Sequence, residues 1–200
     1  MLLAQTLLAS FIVHAVVAAS PPVVEVRTDN TVVTQSCTIR IAPDVVIPDT
    51  DGNGVIQIVG DDIVVEFEAG SVLRGADVGD GAGKTPWDRL AGIGVSVVRG
   101  SGVTLRGLRV RGFKVGVAAA GTPGLTVEDG DFADNFRQRL NSMPLAEDAS
   151  DWLWPHENDE GQWRSRDGAA ILVERSSDVT IRRNRVRTGV ILGVNDKRHT

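Results

Sequence analysis

Val179-Thr180-Ile181-Arg182-Arg183-Asn184-Arg185-Val186 sets apolar side chains at alternate positions and then, after a polar interval, returns to valine. Alternation with period two is the pattern of a strand with one buried face, and the run is too short and too β-branched for a helix. The same spacing begins at three earlier places: Ile63-Val64-Val65, Val103-Thr104-Leu105 and Leu125-Thr126-Val127. A turn residue stands just before each anchor, namely Asp62, Gly102, Gly124 and Asp178. In the last three units an apolar residue follows seven positions on, as Val110, Phe132 and Val186.

Upstream of each anchor lies another short alternating piece, Ile56/Ile58, Val95/Val97, Val117/Ala119 and Ile171/Val173. Turns such as Arg99-Gly100-Ser101-Gly102 join the two. One repeat is therefore several short strands with tight corners. From Val103 to Leu125 is a step of 22 residues, a length suited to one coil of a solenoid. Such a coil cannot bury its own apolar face, but stacked on a neighbour, with parallel strands about 4.8 Å apart, it can.

The outward positions check this register. Three residues after the anchors stand Glu66, Arg106, Glu128 and Arg182, and six after the last three stand Arg109, Asp131 and Arg185. The sign alternates from unit to unit, so stacked coils set each charge beside an opposite one in an exposed column. Such neighbours contribute about 0.2–1 kcal/mol each, toward the low end when solvated, so they specify register more than they stabilise. Acids interleave with these arginines and the formal net charge is −5, which excludes a nucleic-acid surface.

Five residues after the anchors, Leu108, Gly130 and Asn184 fall at an inward corner. The segment from Val179 to Val186 resembles the V-T-I-x-x-N-x-[VI] repeat of the right-handed parallel β-helix proteins, the pectin-lyase-like fold. In that family an Asn at such a corner bonds to backbone of the next coil. The resemblance covers about residues 54 to 192 and implies an all-β, right-handed parallel β-helix. It speaks to fold and not to activity, since enzymes and non-enzymes share it.

Residues 2 to 19 are uncharged and mostly apolar, and small residues precede Ser20-Pro21-Pro22. This reads as a secretory signal peptide over residues 1–20, and Gln5, Thr6, Ser10 and His14 make it a poor membrane span. The expected location is secreted, periplasmic or cell-surface. Residues 21–53 hold two β-rich runs, Val23-Val24-Glu25-Val26 and Thr38-Ile39-Arg40-Ile41, expected to cap the first coil of a single domain over residues 21–200. At the other end Gly189-Val190-Ile191-Leu192 starts a fifth coil. Aligning Ile191 with Ile171 sets His199 at the next anchor, a poor buried residue, so the reading is a C-terminally truncated helix. The single Cys37 reads as a buried thiol, and three histidines are too few for a copper or zinc cluster.

Two coils carry long insertions, residues 76–93 and 137–168, both entering at the corner before the upstream strand. They should emerge from one flank about two coils, or roughly 10 Å, apart and wall a groove. All four tryptophans lie in them: Trp87 in the first, Trp152, Trp154 and Trp163 in the second. An indole suits the apolar face and hydroxyl rim of a sugar, and equally pins a long loop to the body. Trp87, Trp154 and Arg164 form the expected substrate-binding set. Asp148, Asp151, His156, Glu157 and Asp159 form the expected catalytic cluster. Two such carboxylates serve as acid and base on a glycosidic bond; alternatively carboxylates hold Ca²⁺ against a uronate while an Arg or His takes the α-proton. Spacing selects no pair. Asp49-Thr50-Asp51-Gly52-Asn53-Gly54 looks like a calcium loop, yet its Asp-Gly and Asn-Gly steps read better as a turn into Val55. Two functional readings follow: a polysaccharide binder or cleaving enzyme of lyase or glycoside hydrolase type, and a non-catalytic structural or adhesion module.

Overall fold

The computed structural model describes residues 20–138, 141–149 and 168–187, together with the backbone of a strand at Ile191–Val194. The strands are β1 (Val23–Val26), β2 (Thr31–Val33), β3 (Cys37–Ile41), β4 (Ile56–Val59), β5 (Val64–Phe67), β6 (Leu73–Arg74) and β7 (Ile93–Arg99). They continue as β8 (Thr104–Arg106), β9 (Val110–Arg111), β10 (Val115–Ala120), β11 (Thr126–Glu128), β12 (Ala169–Glu174), β13 (Thr180–Arg182) and β14 (Ile191–Val194). Between β6 and β7 the chain makes a 3-10 turn at Trp87–Arg89. The protein is all-β.

Turn residues keep the strands short. Asp62, Gly102, Gly124 and Asp178 all take positive φ, at 54°, 64°, 72° and 55°. Glycine enters that region freely and aspartate tolerates it, which is why these types stand before the anchors. A second column of positive φ closes the anchor strands at Gly107, Asp129 and Arg183.

Every pairing between named strands is parallel. One six-stranded sheet has the order β1-β3-β5-β8-β11-β13, and a second has β14-β12-β10-β7-β4-β2. The chain passes between them in alternation, so each pass lies on the one before. A two-stranded sheet, β6-β9, and single bridges from Arg109 to Asp131 and from Asp131 to Arg185 form a third side. Sequence repeat and spatial register coincide: Thr104 faces Val64 and Thr126, and Thr126 faces Thr180. Val117 likewise faces Val95 and Ile171, and Ile171 faces Ile191. In the first unit the third-side position falls to Leu73, which faces Val110 after a turn closed by the Ser71 N–H to Glu68 C=O bond. The strands expected to cap the stack extend it: β1 and β3 join the first sheet, and β2, unforeseen in the sequence, joins the second.

Between the sheets runs a continuous apolar core from Val26 to Val173, including Ile39, Leu105, Val127 and Phe132, all fully buried. Each such side chain contributes about 1.5–3 kcal/mol by leaving water. Cys37 lies within it, and burial pushes its thiol pKa up. At the corners two asparagines tie a pass to the one before. Asn184 accepts from Gly130 N–H at 2.8 Å and donates to Val127 C=O at 2.7 Å. Asn135, wholly buried, accepts from Phe113 N–H at 3.1 Å and donates to Val110 C=O at 2.9 Å.

Two features depart from simple alternation. The outward residues Ala118 and Leu172 are as buried as their inward neighbours and form a second cluster with Ile93, Val115 and Ala169. The runs Val115-Gly116-Val117-Ala118-Ala119-Ala120 and Ala169-Ala170-Ile171-Leu172-Val173 are uncharged throughout, as strands covered on both faces are. The charge column also forms as spaced, Glu66 beside Arg106, Arg106 beside Glu128, Glu128 beside Arg182. It is not exposed throughout: Glu128 keeps only 3% of its surface, because the arginines close over it.

Candidate functional site

The first insertion leaves β6 and folds on itself, with Thr85 N–H bonding to Asp77 C=O at 2.7 Å and Gly79 N–H to Thr85 C=O at 3.1 Å. Pro86 then sets the 3-10 turn that presents Trp87, and Leu90 buries beneath it. The second insertion starts where Phe136 N–H bonds to Phe113 C=O at 2.9 Å. One residue on, the Arg137 guanidinium lies 4.5 Å from the centre of the Trp87 ring. Its backbone N–H also reaches Trp87 C=O at 3.4 Å. The two insertions therefore meet. Trp87 is half-buried, one ring face is taken by Arg137, and its buried Nε1–H has no acceptor among the described residues.

At the root of the first insertion is a cavity of about 180 Å³ lined by Pro48, Asp49, Thr85, Arg89, Leu90 and Gly112 among others. Gly112, at φ 76°, lets the chain pass close here: a Cβ would lie 2.6 Å from the Ala76 carbonyl oxygen. Asp49, Thr85 and Arg89 are the polar residues among its lining.

Asp49 belongs also to a carboxylate group with Asp29 and Asp51, whose nearest oxygens all lie within 4.8 Å of one another. Asp49 accepts from Gly52 N–H at 2.9 Å and Ile93 N–H at 2.7 Å, which ties the turn to the start of β7. Asp29 accepts from Thr50 N–H at 2.9 Å and the Thr50 hydroxyl at 2.7 Å. Burial raises the Asp29 carboxyl, but these bonds outweigh it and hold the pKa below its ordinary value. Asp51 takes the Asn53 amide at 2.8 Å and the Asn30 amide at 3.2 Å. Oxygen donors are what Ca²⁺ or Mg²⁺ takes, and among the described residues these three carboxylates are the group close enough to share one, short of the six or more ligands such an ion needs. Their oxygens are nonetheless engaged by the loop itself, and Gly60 stands where a calcium loop of this type places its bidentate Glu.

Of the residues expected in the site, Trp87 is placed as above, and Asp148 is exposed, its N–H bonded to the Ser142 hydroxyl at 2.9 Å. Asp151, Trp154, His156, Glu157, Asp159 and Arg164 lie outside the described residues. Sequence reading missed Asp29 and Arg89. Asp29 reaches Thr50 only because β2 pairs with β4, and nothing local marks it. No helix among the described residues is long and apolar enough to cross a membrane. Comparison with protein-family models, with curated proteins and with solved structures gives no match to the chain.

Proposed function

We propose that this chain is an exported right-handed parallel β-helix of the pectin-lyase-like class that binds a polysaccharide along the flank bearing its two insertions. The observation that carries the reading is the meeting of both insertions at Trp87 and Arg137, above strands that stack in parallel. Beside it Asp49, Thr85 and Arg89 border a small, half-open cavity. In the enzymatic form of this reading, Asp148, Asp151, His156, Glu157 and Asp159 supply the acid and base or, with Ca²⁺, the lyase chemistry. Trp154 and Arg164 then extend the sugar-binding surface.

The test is a titration of neutral and uronate oligosaccharides, with and without Ca²⁺, followed by tryptophan fluorescence. Quenching that Arg89→Ala weakens supports binding; release of an unsaturated product adds lyase activity, and reducing ends without it add hydrolysis. A second reading, a structural or adhesion module, is favoured by the Arg137 guanidinium over Trp87 and by the buried indole N–H. It stands if no glycan perturbs the fluorescence.

A further inference from the structure

Charge along the stack follows one rule and breaks it once. Where two charged residues of the described strands and bridges face each other in register, the signs oppose, as in the Glu128 column. Glu25 likewise faces Arg40, Glu66 faces Arg106, and Asp131 faces both Arg109 and Arg185. On the third side, however, Arg74 of β6 faces Arg111 of β9. Like charges directly opposite destabilise a sheet, and a chain that breaks its own pattern commonly does so at a functional position.

The carboxylates nearby do not resolve the pair. Arg74 Nη1 lies 3.5 Å from Asp44, whose side chain is 86% exposed. Arg111 lies 3.4 Å from Asp131, a carboxylate shared with Arg185, and 4.0 Å from Asp134. Its Nε–H is buried with no acceptor among the described residues. The arginines around Glu128 and Asp129, by contrast, hold their carboxylates at 2.6–2.9 Å. A guanidinium has five N–H donors, so Arg74 and Arg111 both keep several to give, and each side chain is 36% exposed. Gly75 and Gly112, which follow these arginines in the chain, line the cavity at the root of the first insertion.

We propose that Arg74 and Arg111 together bind a phosphate group, free or as a monoester. A phosphate dianion matches the combined charge of two guanidiniums and presents them with several oxygens at once, where a carboxylate brings one charge. It displaces Asp44, the exposed partner, and leaves Asp131 in place, since the Ala133 N–H at 3.0 Å and Arg185 also hold that carboxylate. The inference does not depend on glycan binding.

Inorganic phosphate titrated at pH 8 and constant ionic strength should raise the melting temperature along a curve that saturates, as a site does. Simple exclusion of phosphate from the protein surface gives a steady rise instead. Saturation with inorganic phosphate identifies the free anion as a ligand, and saturation with glucose 6-phosphate but not glucose identifies the monoester. Arg74→Gln and Arg111→Gln should each abolish saturation, with circular dichroism to verify their fold, while Arg99→Gln, exposed on the second sheet, keeps it. Without phosphate, Arg74→Gln should melt no lower than the unmodified chain, because it relieves the opposed charges; a merely structural ion pair with Asp44 would make it melt lower. A rise that never saturates with either phosphate compound, or saturation that persists in Arg74→Gln, overturns the proposal. Neither result bears on the fluorescence test of glycan binding.

Discussion

Arg106 and Glu128, 22 residues apart in the chain, lie side by side on β8 and β11 with Nε 2.8 Å from Oε1. Arg182 holds the other carboxylate oxygen from β13 at 2.8 Å, and Arg183 adds a contact to it at 2.9 Å. One carboxylate on the outside of a sheet thus links three successive passes. Replacing it leaves three arginines facing one another.

Acid should loosen this link. The hydrogen bond from Arg106, then that from Arg182, hold the Glu128 carboxyl below its ordinary 4.5. A depressed folded pKa gives stability that is complete above the unfolded value and lost as pH falls through the folded one. Melting temperature should therefore fall as pH drops below about 4.5. Glu128→Gln should lower it at neutral pH and flatten that acid slope; an unchanged slope would show that other carboxylates set it.

Phe132→Ala should destabilise far more than Arg109→Ala. Phe132 is fully buried in the stacked core and Arg109 is exposed. The expected losses are about 3–5 kcal/mol against about half a kcal/mol, measured in urea melts.

Asn135→Ala should cost more than Asn184→Ala. Both bridge backbone groups of the previous pass, but Asn135 is wholly buried and Asn184 half-buried. Each buried group left without a partner costs about 1–3 kcal/mol, whereas water can reach the Asn184 corner. Paired denaturant melts of the two variants decide it.

Gly112→Ala should strain the root of the first insertion. Residue 112 sits at φ 76°, and a Cβ there meets Ala76 backbone at 2.6 Å. A loss of about 1–3 kcal/mol is expected in melts, together with a change in Trp87 fluorescence as the cavity wall moves.

Much of the fold was legible because its signals are local. Val103-Thr104-Leu105 shows its period two within three residues, and Asp62, Gly102, Gly124 and Asp178 mark the corners by the left-handed backbone they tolerate. Asn184 was legible as a corner residue. Asn135, making the same kind of bridge, was not, because it sits three residues past Phe132 with no counterpart at its offset. The candidate site was less legible. Trp87 and Arg137 were visible as residues of two insertions, but their stacking joins positions 50 residues apart.

By itself, the sequence determined the strand repeat, its turns and the alternating charges, since each depends on the side chains and backbone freedom of adjacent residues. Only tertiary structure decided which outward residues are covered. Ala118 and Leu172 lost their solvent to packing, and Glu128 lost it to three arginines at the ends of two strands, β8 and β13. It also decided that Asp29 joins Asp49 and Asp51, and that Arg89 and Thr85 border one cavity. Convergence of that kind follows from how passes of the chain stack, and stacking brings together residues whose spacing along the chain carries no trace of the contact.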